Sequence, residues 1–251
     1  MKMFSPLLIH VPHASVKIPS DRLSEFLIAD LESELLKMTD RFCDEIFAAE
    51  AEMIVFPVSR LVCDPERFRD DQEEEMAEKG MGAVYTRCSD GSILRQTDAA
   101  RREEILSAFY DPHHRRLSEA VRRRLESFGK CLIVDGHSFS SVPLAHEADG
   151  SPNRPDICIG TDPFHTSADL AEYAGAWFEK KGYRVCFNRP FSGTIVPLFC
   201  YRREKRVQSV MIEINRALYM DGAGNRKSFM EPLKANIGDF LKETEERFLL
   251  G

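Results

Sequence analysis

Three short segments of this chain hold residues suited to chemistry. HVPHAS places His10 and His13 at the end of the apolar run LLIHV, and DGHSFS places His137 after a second run, CLIV. Imidazole is the commonest neutral ligand for zinc, and a catalytic zinc takes three protein ligands with a fourth position for water. KMTDRFCDEIF offers a third ligand: Thr39 reads as a helix N-cap, and Asp40 and Asp44 are spaced to share one helical face. Asp40, nearest the helix start, is the first choice and Asp44 the alternative. His10 lies three residues before His13, so in a strand its side chain points the other way, and it reads as structural.

Glu213 lies within the otherwise apolar VQSVMIEIN. An ionised carboxylate is expensive there unless it is paired or at work. Two readings stand: a salt bridge to Arg216 or another arginine, and a general base acting on a metal-activated water. Arg60 and Arg67, in VSRLVCDPERF, and Arg216 are guanidiniums able to grip carboxylates in two-pronged hydrogen bonds, which points to an anionic substrate. Each is equally suited to a structural ion pair. His113 and His114 follow a helix-breaking Pro112, and His114 is a further candidate for the pocket. His146 and His165 lie in polar loops and read as exposed.

These groups need elements to deliver them. Apolar runs predict strands at Leu7–Val11, Met53–Val58, Cys131–Asp135, Ile157–Ile159, Arg184–Phe187 and Val207–Ile214. Amphipathic spacing predicts helices at Asp30–Glu50, Asp98–Phe128, Ser167–Lys181 and Lys227–Phe248, the second broken where Pro112 pushes Asp111 from helical dihedrals. The interleaving predicts an α/β fold whose ligands collect at the carboxyl ends of the strands. The acidic stretch between Asp70 and Ile93 reads as a solvated loop or lid, and 141–155 as a second excursion from the core.

The 251 residues predict a single domain, 1–251. A formal charge of -7 argues against nucleic acid as a general partner. Seven cysteines without a Cys-x-x-Cys pair predict reduced, buried thiols. The N-terminal apolar run is too short for a signal peptide and no segment is long enough to span a membrane, so the expected location is the cytoplasm.

Taken in order, HVPHAS, TDRFCDEIF, VSRLVCDPERF, VDGHSFSS, NRPFSGTIVP and MIEINRALYM resemble the N-formylglutamate amidohydrolase family over most of residues 7–220. That family is similar to zinc carboxypeptidases and zinc N-acetylmuramoyl-alanine amidases. The resemblance implies a mixed, largely parallel sheet with helices on both faces, a zinc-peptidase-like three-layer sandwich. It implies that His13, Asp40 and His137 hold zinc, that Glu213 is the catalytic glutamate and that Arg67 binds substrate. Arg216 and the loop around Ser192 and Gly193 match positions that shape the pocket. The family's Asp-x-Asn-Arg pattern is here Asp64-Pro65-Glu66-Arg67, an acid in place of a neutral amide beside the carboxylate anchor. The expected activity is hydrolysis of a small N-acyl amino acid, with N-formyl-L-glutamate as lead substrate. Another N-acyl amino acid or a peptidoglycan-like amide is the alternative, and a dicarboxylate-binding protein without turnover is the reading from a different class. Nothing in the sequence assigns an oligomeric state.

Overall fold

All six apolar runs form strands in the computed structural model, which describes residues 4–248. They are β1 (Leu7–Val11), β2 (Glu52–Val55), β3 (Cys131–Phe139), β4 (Ile157–Gly160), β5 (Val185–Phe187) and β6 (Val207–Asn215). The α-helices are α1 (Leu31–Met38), α2 (Cys43–Ile46), α3 (Ala99–Ile105), α4 (Asp111–Phe128), α5 (Ala168–Lys180) and α6 (Met230–Phe248). One sheet runs in the order β2-β1-β3-β6-β4-β5. The first four strands are parallel, β4 is antiparallel to β6, and β5 is parallel to β4. The carboxyl ends of β1, β3 and β6 therefore lie side by side along one edge.

Alternation along β1 and β3 divides the core. Leu7, Ile9, Leu132 and Val134 face Trp177 and Phe178 of α5 and Leu233 and Phe240 of α6. Leu8 and Ile133 face Leu117, Ala120 and Val121 of α4. Helices cover both faces, as the alternating pattern predicts, and each fully buried Phe178 or Phe240 contributes on the order of 2 kcal/mol of burial energy. Gly136 is required by close approach: a Cβ there would lie 2.7 Å from the ring of Phe47, which follows α2 and packs directly on β3.

Several expectations are corrected. The helix predicted over Asp30–Glu50 is two short helices, and Thr39 closes α1 instead of opening a helix. The Asp40 N–H donates to His13 O at 2.9 Å, which ties the chain to the turn after β1. Phe42 then takes a left-handed φ of 70° before α2 begins. Asp40 and Asp44 thus do not share a helical face, and Asp44 is exposed. Pro112 does not break its helix. Residues Leu106–Tyr110 wind as a wider π turn ahead of it, and Asp111 keeps helical dihedrals of -62° and -42°.

Nor is the stretch from Asp70 to Ile93 a solvated loop throughout. Its acidic part is mostly exposed, but Met81–Tyr85 is buried. Arg95, 1% exposed, donates to the carbonyls of Leu61, Val62 and Tyr85 and so satisfies backbone that the segment buries. His165 is buried, donating from Nδ1 to Val207 O and accepting the Arg202 N–H at Nε2. His146 is half-buried against Ser89 O. All seven cysteines are free thiols, but Cys186 is exposed. Among the described residues no helix is long and apolar enough to cross a membrane.

Candidate active site

His13, Asp40 and His137 come together at the strand edge. His13 leaves the end of β1, Asp40 sits in the turn between α1 and α2, and His137 lies inside β3, which continues past the predicted Asp135. Asp40 Oδ2 lies 3.7 Å from His13 Nδ1 and 3.3 Å from His137 Nδ1. Neither that oxygen nor His13 Nδ1 has a hydrogen-bond partner among the described residues, although both are buried. Such orphaned atoms at mutual ligand distance can hold a divalent metal ion.

Each donor is braced from behind. His13 Nε2 donates to Asp64 Oδ1 at 2.8 Å, so its neutral ring offers Nδ1 as the free lone pair. Asp64 in turn accepts from Arg60 Nη2 at 2.7 Å, from Tyr85 Oη and from the Glu66 N–H. Asp40 Oδ1 accepts from Arg216 Nη2 at 2.7 Å. Arg216 also donates to Ser138 Oγ and to the carbonyls of Ser138 and Lys37, so most of its guanidinium is engaged within the protein. His137 Nε2 lies 3.1 Å from Asp135 Oδ1.

In and behind this cleft the neighbouring imidazoles and guanidiniums hold the carboxyls of Asp40, Asp64 and Asp135 below their ordinary pKa against the opposing effect of burial. Burial opposes a charge on His137, but Asp135, Asp40 and Glu213 outweigh it and hold that imidazole well above its ordinary pKa. Burial and then Arg60 push His13 down. The carboxylates draw positive charge to the point between the two rings, and a divalent cation there answers the same demand.

Glu213 of β6 is the register partner of His137. It is 6% exposed, and its Oε2 has no hydrogen-bond partner among the described residues. Burial foremost, and then Asp40, pushes its carboxyl up to about 8. The salt bridge expected as one reading of Glu213 does not form with Arg216, whose donors go to Asp40, Ser138 and Lys37.

These groups line a cleft of about 890 Å³ together with Arg60, Arg67, His114, Ser192 and Gly193. Arg67 is the arginine least committed to the protein, its Nε 3.9 Å from Asp64 and 4.0 Å from Glu74. His114 donates from Nε2 to Pro65 O and stacks on Tyr110, and burial pushes its pKa down to about 4. Glu66 lines the cleft with its Oε1 3.3 Å from His10 Nδ1, and burial followed by the Asp135 charge pushes its carboxyl well up. Glu73, Glu74, Glu75 and Glu78 also line the cleft.

Asp64 and Asp135, the carboxylates behind the two imidazoles, escaped the sequence reading as site residues. A signal was present: both aspartates end apolar runs, LVCD and CLIVD, where an unpaired carboxylate would be costly. His10 is structural in the sense that it is buried, yet it belongs to the same polar network through Asp135.

The N-formylglutamate amidohydrolase family model matches residues 5–220. A Pseudomonas putida N-formylglutamate deformylase is 29% identical over 231 residues, covering 86% of this chain and 82% of that protein. The fold is similar to that of an N-formylglutamate amidohydrolase from Ralstonia eutropha JMP134, with a TM-score of 0.83 at 22% identity over 96% of this chain and 94% of that one. It is also similar to a gene product of Agrobacterium tumefaciens, with a TM-score of 0.71 at 23% identity over 96% of this chain and 91% of that one. With a family match spanning most of its length, and a cleft built from the segments that carry the resemblance, this chain belongs to the N-formylglutamate amidohydrolase family.

Proposed function

We propose that this amidohydrolase is zinc-dependent and cleaves N-formyl-L-glutamate to formate and L-glutamate. The observation that carries the proposal is the convergence of His13 Nδ1, Asp40 Oδ2 and the His137 ring on one side of a cleft that also contains Glu213 and Arg67. Two imidazoles and one carboxylate, with further carboxylates behind the rings, are a donor set suited to catalytic zinc. Zinc held by His13, Asp40 and His137 would supply Lewis acidity toward the scissile carbonyl and toward water.

The chain's own residues account for the rest. Glu213 removes a proton from the attacking water and delivers it to the leaving nitrogen as the C–N bond breaks, so water and amide give carboxylic acid and amine. Arg67 binds a substrate carboxylate, and Arg60, held by Asp64, adds positive field beside it. Arg216 keeps Asp40 oriented and ionised.

A second reading keeps the chemistry and changes the substrate to another N-acyl amino acid or a peptidoglycan-like amide. Glu66 favours it, because a carboxyl pushed by burial toward its protonated form stands beside Arg67 where the family's pattern has an amide, and so presents a different set of hydrogen-bonding groups to the substrate. Metal analysis of purified protein, with a screen of N-formyl and N-acetyl amino acids read as released carboxylate, tests both. About one zinc per chain and preferred turnover of N-formyl-L-glutamate are expected. A metal-free protein that binds dicarboxylates without hydrolysing them would instead establish a binding protein. Equal turnover of uncharged and dicarboxylate substrates would remove the role given to Arg67.

A further inference from the structure

The buried polar groups that this chemistry leaves unused lie behind His137. His10 of β1 and Asp135 of β3 are register partners with no exposed surface, and His10 Nδ1 donates to Asp135 Oδ1 at 2.8 Å. The same oxygen faces His137 Nε2 at 3.1 Å, while Asp135 Oδ2 accepts the Ile195 N–H at 3.2 Å. On its far side His10 Nε2 meets His113 Nε2 of α4 at 2.8 Å, two ring nitrogens that share one proton. A carboxylate only accepts, so His10 Nδ1 is protonated. His137 faces carboxylates at both nitrogens, Asp135 at Nε2 and Asp40 at Nδ1. Its Nε2, though close to Asp135, makes no hydrogen bond of good geometry, so Asp135 needs only a small adjustment to take the proton of Nε2. With a metal ion taking Nδ1, the nitrogen that shares the side of Asp40 Oδ2, the ring proton of a neutral His137 stays on Nε2 toward Asp135.

We propose that His10, backed by His113, is a positioning residue: it fixes the Asp135 carboxylate and, through it, the tautomer and orientation of His137 toward the metal. The proposal rests on the reading of His13, Asp40 and His137 as a zinc centre. His10, Glu66 and Asp135 also stand within ligand distance of one another. Both ring nitrogens of His10 are already partnered, however, and a cation there would have to displace a proton from a 2.8 Å hydrogen bond.

Zinc affinity of the metal-stripped chain, measured by chelator competition, and the visible spectrum of the cobalt(II) form read the ligand set without turnover. His10→Phe removes the donor and is expected to weaken zinc binding about 10- to 100-fold and to alter the cobalt spectrum. His10→Asn can keep an N–H near the position of Nδ1, and it is expected to restore most of the affinity and the wild-type spectrum. If circular dichroism finds His10→Phe unfolded, His113→Phe carries the test, with weakened zinc binding expected and unchanged binding overturning the proposal. Wild-type affinity and spectrum in a folded His10→Phe would overturn it. So would an Asn variant as impaired as Phe, or a second zinc per chain that His10→Phe loses. A wild-type chain that binds no zinc would remove the zinc reading itself, and this inference with it.

Discussion

His137 and Glu213 are register partners on the adjacent parallel strands β3 and β6. Their separation is set by the sheet, whose strand spacing is about 4.8 Å, and not by a mobile loop. The imidazole proposed as a metal ligand and a carboxyl oxygen without a hydrogen-bond partner among the described residues are thereby held at one edge of a scaffold whose inner strands are buried on both faces.

Glu213→Gln keeps the size of the side chain and removes its basicity. Turnover is expected to fall by about 10²- to 10⁴-fold, the range for loss of a general acid–base group. Zinc content should stay at the wild-type level, because the carboxyl is not among the three donors assigned to the metal. Metal analysis and released formate, measured on the same preparation, check both halves. Retained activity would remove Glu213 from the mechanism.

Arg216→Ala leaves Asp40, 1% exposed, without its guanidinium partner. Breaking a buried pair from one side costs about 3–5 kcal/mol, so a large fall in the denaturant midpoint is expected together with weaker zinc binding. Arg216→Lys cannot reproduce the donors to Asp40, Ser138 and Lys37 and should recover only part of the loss. A rise in KM with stability and zinc affinity unchanged would instead make Arg216 a substrate clamp.

The sheet was legible because its strands are short apolar runs between polar segments, and six such runs became six strands. His13, His137 and Glu213 were legible for a related reason: each interrupts or ends such a run. The choice between Asp40 and Asp44 was not, since it depends on a hydrogen bond from Asp40 N–H to His13 O and on the left-handed Phe42, both tertiary features. Arg60 and Arg216 look like substrate clamps in the sequence; Arg216 pairs instead with Asp40, 176 positions away and so a tertiary fact, whereas Arg60 pairs with Asp64 only four residues on, a local spacing that could have been read. The acidic run after Asp70 concealed a buried stretch, Met81–Tyr85, because the arginine that satisfies the surrounding carbonyls lies at position 95.

His113, 5% exposed, is held neutral: burial first, and then the neighbouring His10, push its pKa down to about 2. Below its ordinary value near 6.5, the unfolded chain takes up a proton at this residue that the folded chain refuses. Its contribution to stability is therefore complete above about pH 6.5 and falls as the pH drops toward 2, by at most about 1.4 kcal/mol per pH unit. Urea unfolding at pH 7.5 and pH 5.0 should show a smaller acid-induced loss in His113→Phe than in the wild type. An equal loss in both would mean that His113 is not a source of the acid sensitivity.

Glu66 gives the opposite sign. Burial first, and then the Asp135 charge, raise its folded pKa well above 4.5, so the folded chain holds a proton that the unfolded chain releases. That difference lowers stability as the pH rises above about 4.5, until the folded carboxyl also ionises. Glu66→Gln mimics the protonated acid and removes the penalty. Its stability relative to the wild type should therefore improve from pH 5 to pH 8, read from urea midpoints. The same variant keeps a neutral group beside Arg67 at every pH, so kcat/KM for N-formyl-L-glutamate relative to that for N-formyl amino acids with uncharged side chains should match the wild type where the Glu66 carboxyl is protonated and exceed it on the alkaline side, where the wild-type carboxyl ionises. An unchanged ratio would mean that Glu66 does not set the charge preference of the cleft, whatever its effect on stability.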